Sequence, residues 1–413
     1  MAAEFKNFTL FISFDFATEG NWDVDTIANL TNTFKDEPAQ FKVDGKPLVS
    51  TFEGGEFKHS WKEVRERVDG DIYFVPDWSG LGPFRIQEQA EDLIDGACES
   101  ISPATPPHPN QLTYPLLPVS FNTWPGSGQT KMTTYPDNEY TGVLPTKTYM
   151  MGVSPYFYTR IAHLNKNWYS SSDSLWYDRW LQVLEVLPDM VQIITWNDYG
   201  ESHYIGDIVT TQVIDASADY VKGMSHKGFR AMLPYFIAAY KAGKKDIPLP
   251  ESMGDGAVSA WYRTTPANLT DCSDGETVWG QGGKLSATAG VQDAINLFAV
   301  SAQKTVLTVS LGEAQIELDV KAGTPQFFQV TFADLGNQIG KVAISMNGKR
   351  TEGPEVTLDC PASGVVSRSL ILLPVMRADT NRNFFPEIDQ LQLRRNRNWH
   401  SQNENSQNTP GHW

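Results

Sequence analysis

Two carboxylates lie three residues apart near the middle of the chain, at Asp198 and Glu201, within the stretch 195–204 (TWNDYGESHY). Glycoside hydrolysis requires such a pair, because one carboxyl group protonates the leaving oxygen while the other activates water or attacks carbon. Gly200 between them permits a tight backbone turn that aims both side chains into one cleft. The alternative is a loop whose acids form ion pairs. Acids at other predicted strand ends favour the catalytic interpretation.

Aromatic and polar side chains flank this pair. Trp196, Tyr199 and Tyr204 can shape or floor a cleft, since aromatic rings stack on sugars, although they are also ordinary core residues. His203 can orient a carboxylate, but a single histidine is more often only hydrogen-bonded. The sequence has no Gly-x-Ser-x-Gly elbow and no histidine-rich metal motif. Because two carboxylates need neither, we expect no cofactor and no metal.

Three more acids follow other predicted strands: Asp15, Glu53 and Asp77. Each can bind sugar hydroxyls, or raise the pKa of the catalytic pair through its like charge. Each can equally close the rim of the fold through hydrogen bonds to the backbone. The residues alone leave these two alternatives open.

Six short apolar runs in the first 250 residues predict buried parallel strands, at 9–14, 47–52, 71–75, 118–123, 148–153 and 190–196. Helical spacing places helices between them, at 23–34, 61–68, 175–187 and 229–240. This alternation predicts an α/β fold with right-handed crossovers. Polar residues past several strand ends favour a (β/α)8 TIM barrel over a doubly wound sheet, which has its site at one switch point. Since six strands are found, we expect a barrel that lacks its first strands.

Residues 251–375 change to alternating, β-rich runs separated by Gly, Asn and Asp turns. Seven short strands predict an all-β sandwich domain: 257–263, 296–300, 304–311, 315–320, 326–332, 342–346 and 367–372. The proline-bearing linker 247–250 marks the boundary, so residues 1–250 form the barrel. A sandwich attached to a carbohydrate enzyme either binds substrate or stabilises the enzyme, and we favour stabilisation.

Two segments fit neither domain. Residues 97–121 contain six prolines and one charged residue, which predicts a surface insertion within the barrel. A sharper hypothesis is a translated, unspliced intron between 96 and 121, which sequencing of the transcript across this junction would test. Residues 376–413 are rich in Asn and Arg and poor in aliphatic residues, and they predict a disordered tail.

The chain has 413 residues, with 33 Lys plus Arg against 49 Asp plus Glu, and a net charge of −16. This excess of acid argues against a nucleic acid or an anionic membrane as the partner and suits a neutral substrate. No apolar stretch is long enough for a membrane span, and we expect a monomer. Of three cysteines, Cys272 and Cys360 are the plausible disulfide, which leaves Cys98 unpaired. Three glycosylation sequons begin at Asn7, Asn29 and Asn268.

Several stretches resemble glycoside hydrolase family 71, the fungal α-1,3-glucanases or mutanases. The matching motifs are 11–15 (FISFD), 45–54 (GKPLVSTFEG), 75–78 (VPDW), 149–159 (YMMGVSPYFYT), 166–168 (KNW) and above all 196–206 (WNDYGESHYIG). Together they cover roughly residues 5–241 outside the proline-rich segment, and the sandwich less sharply.

The resemblance implies a (β/α)8 barrel with a β-sandwich, secretion to the cell wall, and endo-hydrolysis of fungal α-1,3-glucan. It implies an inverting mechanism in which Glu201 is the general acid and Asp198 the base on water, with carboxyl groups roughly 6.5–9.5 Å apart. The substrate-binding residues that we expect are Asp15, Glu53, Asp77, Trp78, Trp124, Tyr156, Trp196, Asn197, Tyr199 and His203.

The chain departs from the family pattern at its start, where the resemblance implies a signal peptide and two further strands. Two alternatives to an active glucanase follow. One is a catalytically inactive α-glucan-binding protein, since a barrel without two strands holds the acids less accurately. The other is an incomplete gene model of a normal secreted enzyme.

Overall fold

The structure is a computed structural model that describes residues 8–17, 22–99, 123–267, 277–359 and 392–394. In these ranges the strands are β1 (Ile12–Asp15), β2 (Lys42–Val43), β3 (Lys46–Phe52), β4 (Tyr73–Asp77), β5 (Gly96–Cys98), β6 (Thr148–Val153), β7 (Phe157–Ile161), β8 (Lys166–Ser170), β9 (Met190–Ile193), β10 (Gly256–Trp261), β11 (Val278–Trp279), β12 (Ala294–Ser301), β13 (Thr305–Leu311), β14 (Ala314–Val320), β15 (Gln326–Thr331), β16 (Gly340–Met346), β17 (Lys349–Val356) and β18 (Gln392–Arg394). The α-helices are α1 (Val24–Phe34), α2 (Trp61–Arg67), α3 (Gly82–Ala90), α4 (Tyr135–Val143), α5 (Leu175–Val186), α6 (Ala218–Val221) and α7 (Leu233–Ala242).

A parallel sheet forms the centre of the N-terminal part. Its strands lie in the order β1-β3-β4-β5-β6-β9, and each neighbouring pair is parallel. The register aligns Asp15 with Phe52, Phe52 with Asp77, and Asp77 with Cys98. The carboxyl ends of these four strands therefore lie at one level, and the polar residues that follow them share one edge of the sheet.

Within the described residues this sheet is open, with β1 at one end and β9 followed by the antiparallel β18 at the other. It is a partial, TIM-like half-barrel with helices, so the predicted α/β class is confirmed. A wholly disordered tail over 376–413 is wrong for Gln392–Arg394, which form β18; the other tail residues lie outside the described part.

Five of the six predicted strands are present, as β1, β3, β4, β6 and β9. The run at 118–123 lies outside the described residues except for Thr123, which is in no strand. The place between β4 and β6 belongs to β5, which no apolar run marks because it reads Gly-Ala-Cys. A Cβ at Gly96 would lie 2.5 Å from the Thr148 carbonyl oxygen, so only glycine fits there. Ala97 therefore belongs to the sheet, and a start of the insertion at 97 is wrong.

The helices bury apolar faces against this sheet. In α1, Asp23 Oδ1 accepts a hydrogen bond from the Thr26 amide at 2.8 Å and caps the helix. Trp61 of α2 stacks on Phe74 of β4, with ring centroids 3.8 Å apart. Helices α1, α2, α5 and α7 match the predicted ones, with α7 preceded by a 3-10 turn at Lys227–Met232, whereas α3, α4 and α6 were not predicted.

Two antiparallel sheets follow, ordered β10-β12-β15 and β14-β13-β16-β17. They share one hydrophobic core, to which Val258, Leu297, Val309 and Ile344 contribute. Six of the seven predicted strands are confirmed, and 367–372 lies outside the described residues. Strand β17 was missed, although a two-residue Asn347-Gly348 turn with φ of 52° and 73° joins it to β16, and Asn-Gly is a strong hairpin signal.

A third sheet joins the two parts of the chain. Strands β7 and β8 form an antiparallel hairpin between β6 and α5, and β11 pairs in parallel with β8. Trp261 Nε1 also donates to the Asp173 carbonyl oxygen at 2.8 Å. The chain beyond residue 250 therefore completes a sheet that begins in the N-terminal part.

Candidate active site

The stretch after β9 is a closed loop, residues 195–206, rather than a free connection. Its two arms are joined by backbone hydrogen bonds from the Thr195 amide to His203 O (3.0 Å), from Ile205 to Thr195 O (3.0 Å) and from Gly206 to Trp196 O (2.8 Å). A Cβ at Gly206 would lie 2.5 Å from Trp196 O, so the loop can close only with glycine there. The carboxylates are thus presented by a rigid loop at the carboxyl end of a strand.

The turn inside this loop is not made where the sequence suggested. Gly200 does not have a positive φ; Ser202 does, at 62°. The chain turns instead through side-chain bonds, because Thr195 Oγ1 accepts from the Asp198 amide and Asp198 Oδ1 accepts from the Glu201 amide, both at 2.9 Å. The role predicted for Gly200 is therefore wrong, although the predicted convergence of both acids is found.

Asp198, Glu201 and His203 form one cluster, in which an atom from each lies within 4.8 Å of the others. His203 Nε2 is 3.0 Å from Glu201 Oε2 and 3.7 Å from Asp198 Oδ2. Lys166 Nζ, from β8, lies 2.7 Å from Glu201 Oε1. The side chain of Asp198 is 41% exposed, that of Glu201 17% and that of His203 1%. Both acids therefore reach solvent, while the histidine is fixed beneath them.

Buried aromatic rings hold His203 in place. Trp124 lies nearly parallel to the imidazole at 21°, with centroids 5.8 Å apart, and Phe157 lies at the same distance. His203 Nδ1 is 3.0 Å from Thr195 Oγ1, and this hydrogen bond fixes which way the imidazole nitrogens point. Trp124 is fully buried and supports the histidine, while its predicted contact with substrate stays a prediction.

The two carboxyl groups have opposite pKa shifts. Burial raises the pKa of Asp198 and prevails over the favourable charge of His203. Burial also acts to raise the pKa of Glu201, but the hydrogen bond and charge of His203 and the contact with Lys166 outweigh it and lower that pKa to about 2. One group stays ionised while the other holds a proton to higher pH, as acid–base pairs require.

The two carboxyl groups approach each other within this cluster. One oxygen of Asp198 and one of Glu201 lie within 4.8 Å of each other. The expected separation of roughly 6.5–9.5 Å is measured between whole carboxyl groups, and it stays a prediction.

The three other strand-end acids accept hydrogen bonds from loops at this edge of the sheet. Asp15 Oδ1 accepts from the Ala17 amide at 2.8 Å, and Glu53 Oε1 accepts from the Gly80 amide at 3.2 Å. Asp77 is buried and accepts from Ser79 Oγ at 2.5 Å. These bonds fit the alternative in which the acids close the rim, and sugar binding by them stays a prediction.

The remaining expected residues divide by burial. Trp78, Tyr156 and Tyr199 are buried: Trp78 packs edge-on against Phe74, Tyr156 lies against Tyr169, and the Tyr199 hydroxyl donates to Asp207 O at 2.8 Å. These three pack in the core of this structure, where large aromatic side chains are as valuable as on a sugar, and their contact with substrate stays a prediction.

Trp196 and Asn197 remain accessible beside the pair. Trp196 is partly exposed, and the Arg230 guanidinium lies 5.8 Å from the centre of its ring. Asn197 is exposed, with its amide 3.4 Å from Gln212 Oε1. Contact of either side chain with substrate stays a prediction.

Three functional or structural residues were not predicted. Thr195 fixes both Asp198 and His203, and its place at the start of the polar stretch was the available signal. Lys166 pairs with Glu201 across 35 residues of chain, a distance that no local spacing reveals. Glu99, at the end of β5, is fully buried with Arg179 and Asp137.

The cluster offers three ligand atoms of the kinds that metal ions bind, from Asp198, Glu201 and His203. The Lys166 ammonium already contacts Glu201, and its like charge opposes a cation at that carboxylate. The expected absence of a metal stays a prediction.

The remaining sequence predictions concern the cysteines, the glycosylation sequons and membrane spans. Cys272, Cys360, Asn7 and Asn268 lie outside the described residues, while Asn29 is exposed on α1 and its glycosylation stays a prediction. Cys98 is a buried free thiol. Among the described helices, none has the length and apolar character to cross a membrane.

Comparison with known proteins identifies relatives. A family model described as Glycosyl hydrolase family 71 matches residues 1–104 and 117–365. The chain is 35% identical over 332 residues to a mutanase of Penicillium rubens, covering 78% of this chain and 65% of that protein. It is 31% identical over 338 residues to the glucan endo-1,3-alpha-glucosidase agn1 of Schizosaccharomyces pombe, covering 78% and 70%. The chain thus spans about two thirds of the length of the curated relatives it matches.

Solved structures of a GH99 endo-alpha-mannosidase from Bacteroides thetaiotaomicron are more distant. They are 15% and 14% identical, with TM-scores of 0.38 and 0.37, over 57% of this chain and 71% and 67% of theirs. Similarity at this level carries no conclusion. The unmatched residues 105–116 lie within the segment that was predicted to be an insertion.

Proposed function

The chain belongs to glycosyl hydrolase family 71, and on that ground we propose that it hydrolyses internal α-1,3-glucosidic bonds of fungal cell-wall α-1,3-glucan outside the cell. The observation that carries the proposal is the convergence of Asp198 and Glu201 on one loop with opposite pKa shifts. The names of the relatives, a mutanase and a glucan endo-1,3-alpha-glucosidase, support the choice of substrate.

The charges around the pair favour roles that are the reverse of those the resemblance implied. Glu201, paired with Lys166 and His203, stays ionised and serves as the base that accepts a proton from water. Asp198, whose pKa is raised, protonates the glycosidic oxygen. The bond between the anomeric carbon and that oxygen breaks as water attacks, and the two carboxyl groups exchange their protons with solvent before the next turnover.

Inversion at the anomeric carbon requires room for a water molecule between the two carboxyl groups. Glu201 is held by Lys166 and His203, whereas Asp198 contacts the Glu201 amide and is 41% exposed. We therefore propose that Asp198 rotates away from Glu201 when glucan enters, which opens space for the attacking water. Proton NMR of the first product would test inversion, which this rotation serves. A β-anomer is expected, and an initial α-anomer would refute inversion.

The activity is tested by release of reducing sugar from insoluble α-1,3-glucan. Asp198→Asn and Glu201→Gln should each lower the rate by at least about 1,000-fold, the range seen when essential catalytic groups are removed. Glu185→Gln, which changes an exposed acid on α5, is the matched control and should keep full activity. Unchanged rates in both site variants would refute the site assignment.

The two roles are separated by a substrate with a good leaving group, such as an activated aryl α-glucoside. Such a substrate needs little protonation, so Asp198→Asn should recover activity on it far more than Glu201→Gln. Azide, as an external nucleophile, should rescue only Glu201→Gln. The opposite pattern would restore Glu201 as the acid.

We extend the proposal to the fold, with the described half-barrel as part of a closed (β/α)8 barrel and the antiparallel sheets as a stabilising β-sandwich. A catalytically inactive α-glucan-binding protein is the second candidate, since the sheet is open within the described residues and an incomplete barrel would hold the acids less accurately. Co-sedimentation with α-1,3-glucan without any sugar release would support the second candidate over the first.

A further inference from the structure

Lys166 is the only basic side chain of β8, and it contacts the catalytic loop at the Glu201 oxygen that His203 does not contact. Its ammonium lies 2.7 Å from Glu201 Oε1, while His203 contacts the other oxygen, Oε2, at 3.0 Å. The two contacts hold both oxygens of one carboxylate, so Glu201 has little freedom to rotate. Lys166 itself is 44% exposed, with its charge at the edge of the cluster.

The hairpin that carries Lys166 also holds the Glu201 backbone. The Tyr158 amide of β7 donates to the Glu201 carbonyl oxygen at 3.1 Å, and Lys166 pairs with Ile161 across the hairpin. On its other edge β8 is fixed by the segment after residue 276, where Thr277 Oγ1 donates to Asn167 Oδ1 at 2.8 Å. Backbone and side chain of Glu201 are therefore positioned by one rigid element.

We propose that Lys166 is a positioning residue for glucan hydrolysis, which holds the Glu201 carboxylate and supplies its counter-charge. The inference rests on the proposed function and adds a residue to which neither the family match nor the sequence patterns assign a role. The groups that face Glu201 are Lys166 from β8, Asp198 and His203 from its own loop, and the Tyr220 hydroxyl from α6, which donates to Gly200 O at 2.7 Å. Lys166 is the permanent cation among them.

Removal of the ammonium by Lys166→Met should act on Glu201 and not on substrate binding. Because an opposite charge at this distance lowers a carboxyl pKa by about one to three units, and Lys166 is nearly half exposed, we expect the acidic limb of the kcat profile to move up by about one pH unit. We expect kcat to fall about tenfold with KM within about twofold, and Lys166→Arg to restore the position of the limb.

The matched control is Lys304→Met, which breaks an exposed ion pair with Asp319 far from the loop and should change neither limb nor rate. A merely structural role for Lys166 would lower the rate at every pH without moving the limb, and that result would overturn the inference. Failure of the proposed function is recognised separately, as absence of sugar release by the unchanged chain.

A second measurement needs no activity. Carboxyl-labelled glutamate followed by carbon-13 NMR reports the titration of Glu201, whose resonance is identified by its loss in Glu201→Gln. In Lys166→Met this resonance should titrate about one pH unit higher than in the unchanged chain. An unchanged titration in a folded Lys166→Met protein would overturn the inference even if the chain proved inactive.

Discussion

Replacement of Asp137 by Asn would test the most deeply buried charges of the described structure. Asp137 of α4 receives two hydrogen bonds from Arg179 of α5, at 2.9 and 3.0 Å, and one from the Tyr149 hydroxyl at 2.8 Å. Glu99 lies 3.4 Å from the same guanidinium. All three charged side chains are fully buried. Asp137→Asn keeps the shape and removes one negative charge.

The expected loss follows from the burial of Arg179. Breaking a buried ion pair by removing one partner costs about 3–5 kcal/mol, because an uncompensated charge remains. Glu99 stays beside Arg179 and can supply the missing charge, so we expect about 3 kcal/mol, at the low end of that range. Asp319→Asn, which breaks the exposed pair with Lys304, is the control and should cost at most about 0.5 kcal/mol.

The loss should depend on pH in a defined direction. Burial, followed by the like charge of Asp137, raises the pKa of Glu99 well above its ordinary value of 4.5. The native state therefore keeps a proton that the unfolded chain releases above that value, and stability falls as pH rises toward the folded pKa. In Asp137→Asn the like charge is gone and the pKa of Glu99 falls. The free energy of unfolding of the variant therefore falls less steeply with rising pH than that of the unchanged chain. The difference between the two proteins should be larger near pH 5 than near pH 7.

The assay is urea unfolding followed by tryptophan fluorescence, since Trp176 and Trp180 of α5 are buried near Arg179. The shift of the midpoint, multiplied by the slope of the transition, gives the change in the free energy of unfolding. A loss no larger than that of Asp319→Asn, or a loss that grows between pH 5 and pH 7, would refute the reasoning.

Three further changes test the backbone of the structure and the aromatic rings that support His203. Gly206→Ala should displace the catalytic loop and lower kcat at least about tenfold, because its Cβ would lie 2.5 Å from Trp196 O. The control is Gly142→Ala, in a helix with nothing within 4 Å of the added Cβ, which should keep kcat and raise stability by about 0.5 kcal/mol. Gly348→Ala, at φ 73°, should cost about 1 kcal/mol in thermal unfolding by strain in the β16–β17 turn, and no change would contradict the turn assignment. Trp124→Leu should lower kcat about tenfold, because His203 loses the ring that stacks on it. Trp124→Phe keeps an aromatic ring there, and its kcat should stay within about threefold of the unchanged chain; equal rates for both variants would contradict the supporting role.

Local patterns were enough to find the pair and most of the strands that carry it. Asp198 and Glu201 are near in sequence, and an apolar run that ends before them marks β9 as a strand. In the same way, alternation of aliphatic residues predicted six of the antiparallel strands. Spacing could indicate that both acids converge, because the loop is short.

Contacts between distant parts of the chain could not be found in this way. Lys166 meets Glu201 through a hairpin that periodicity did not mark, and β5 is too short and too small in its side chains to show an apolar run. The burial of individual tryptophans could not be predicted from the sequence either, since the same side chain can stack on a sugar or pack in a core. Trp78 and Trp124, both expected to bind substrate, are fully buried in the structure.

The pairing of β11 with β8 determines where this chain could be divided in an engineered chimera. A cut near residue 250 would strip β8 of its neighbour and leave the backbone of Trp168 and Tyr169 on a bare sheet edge, open to pairing with other chains. It would also remove Gly280, whose amide donates to Tyr169 O at 2.7 Å, and Gly290, whose carbonyl accepts from Ser171 Oγ at 3.0 Å. A transplantable catalytic unit must therefore extend beyond Gly290, well inside the part of the chain that its strand pattern assigns to another domain, because β10 and β9 also pair with strands further along the chain.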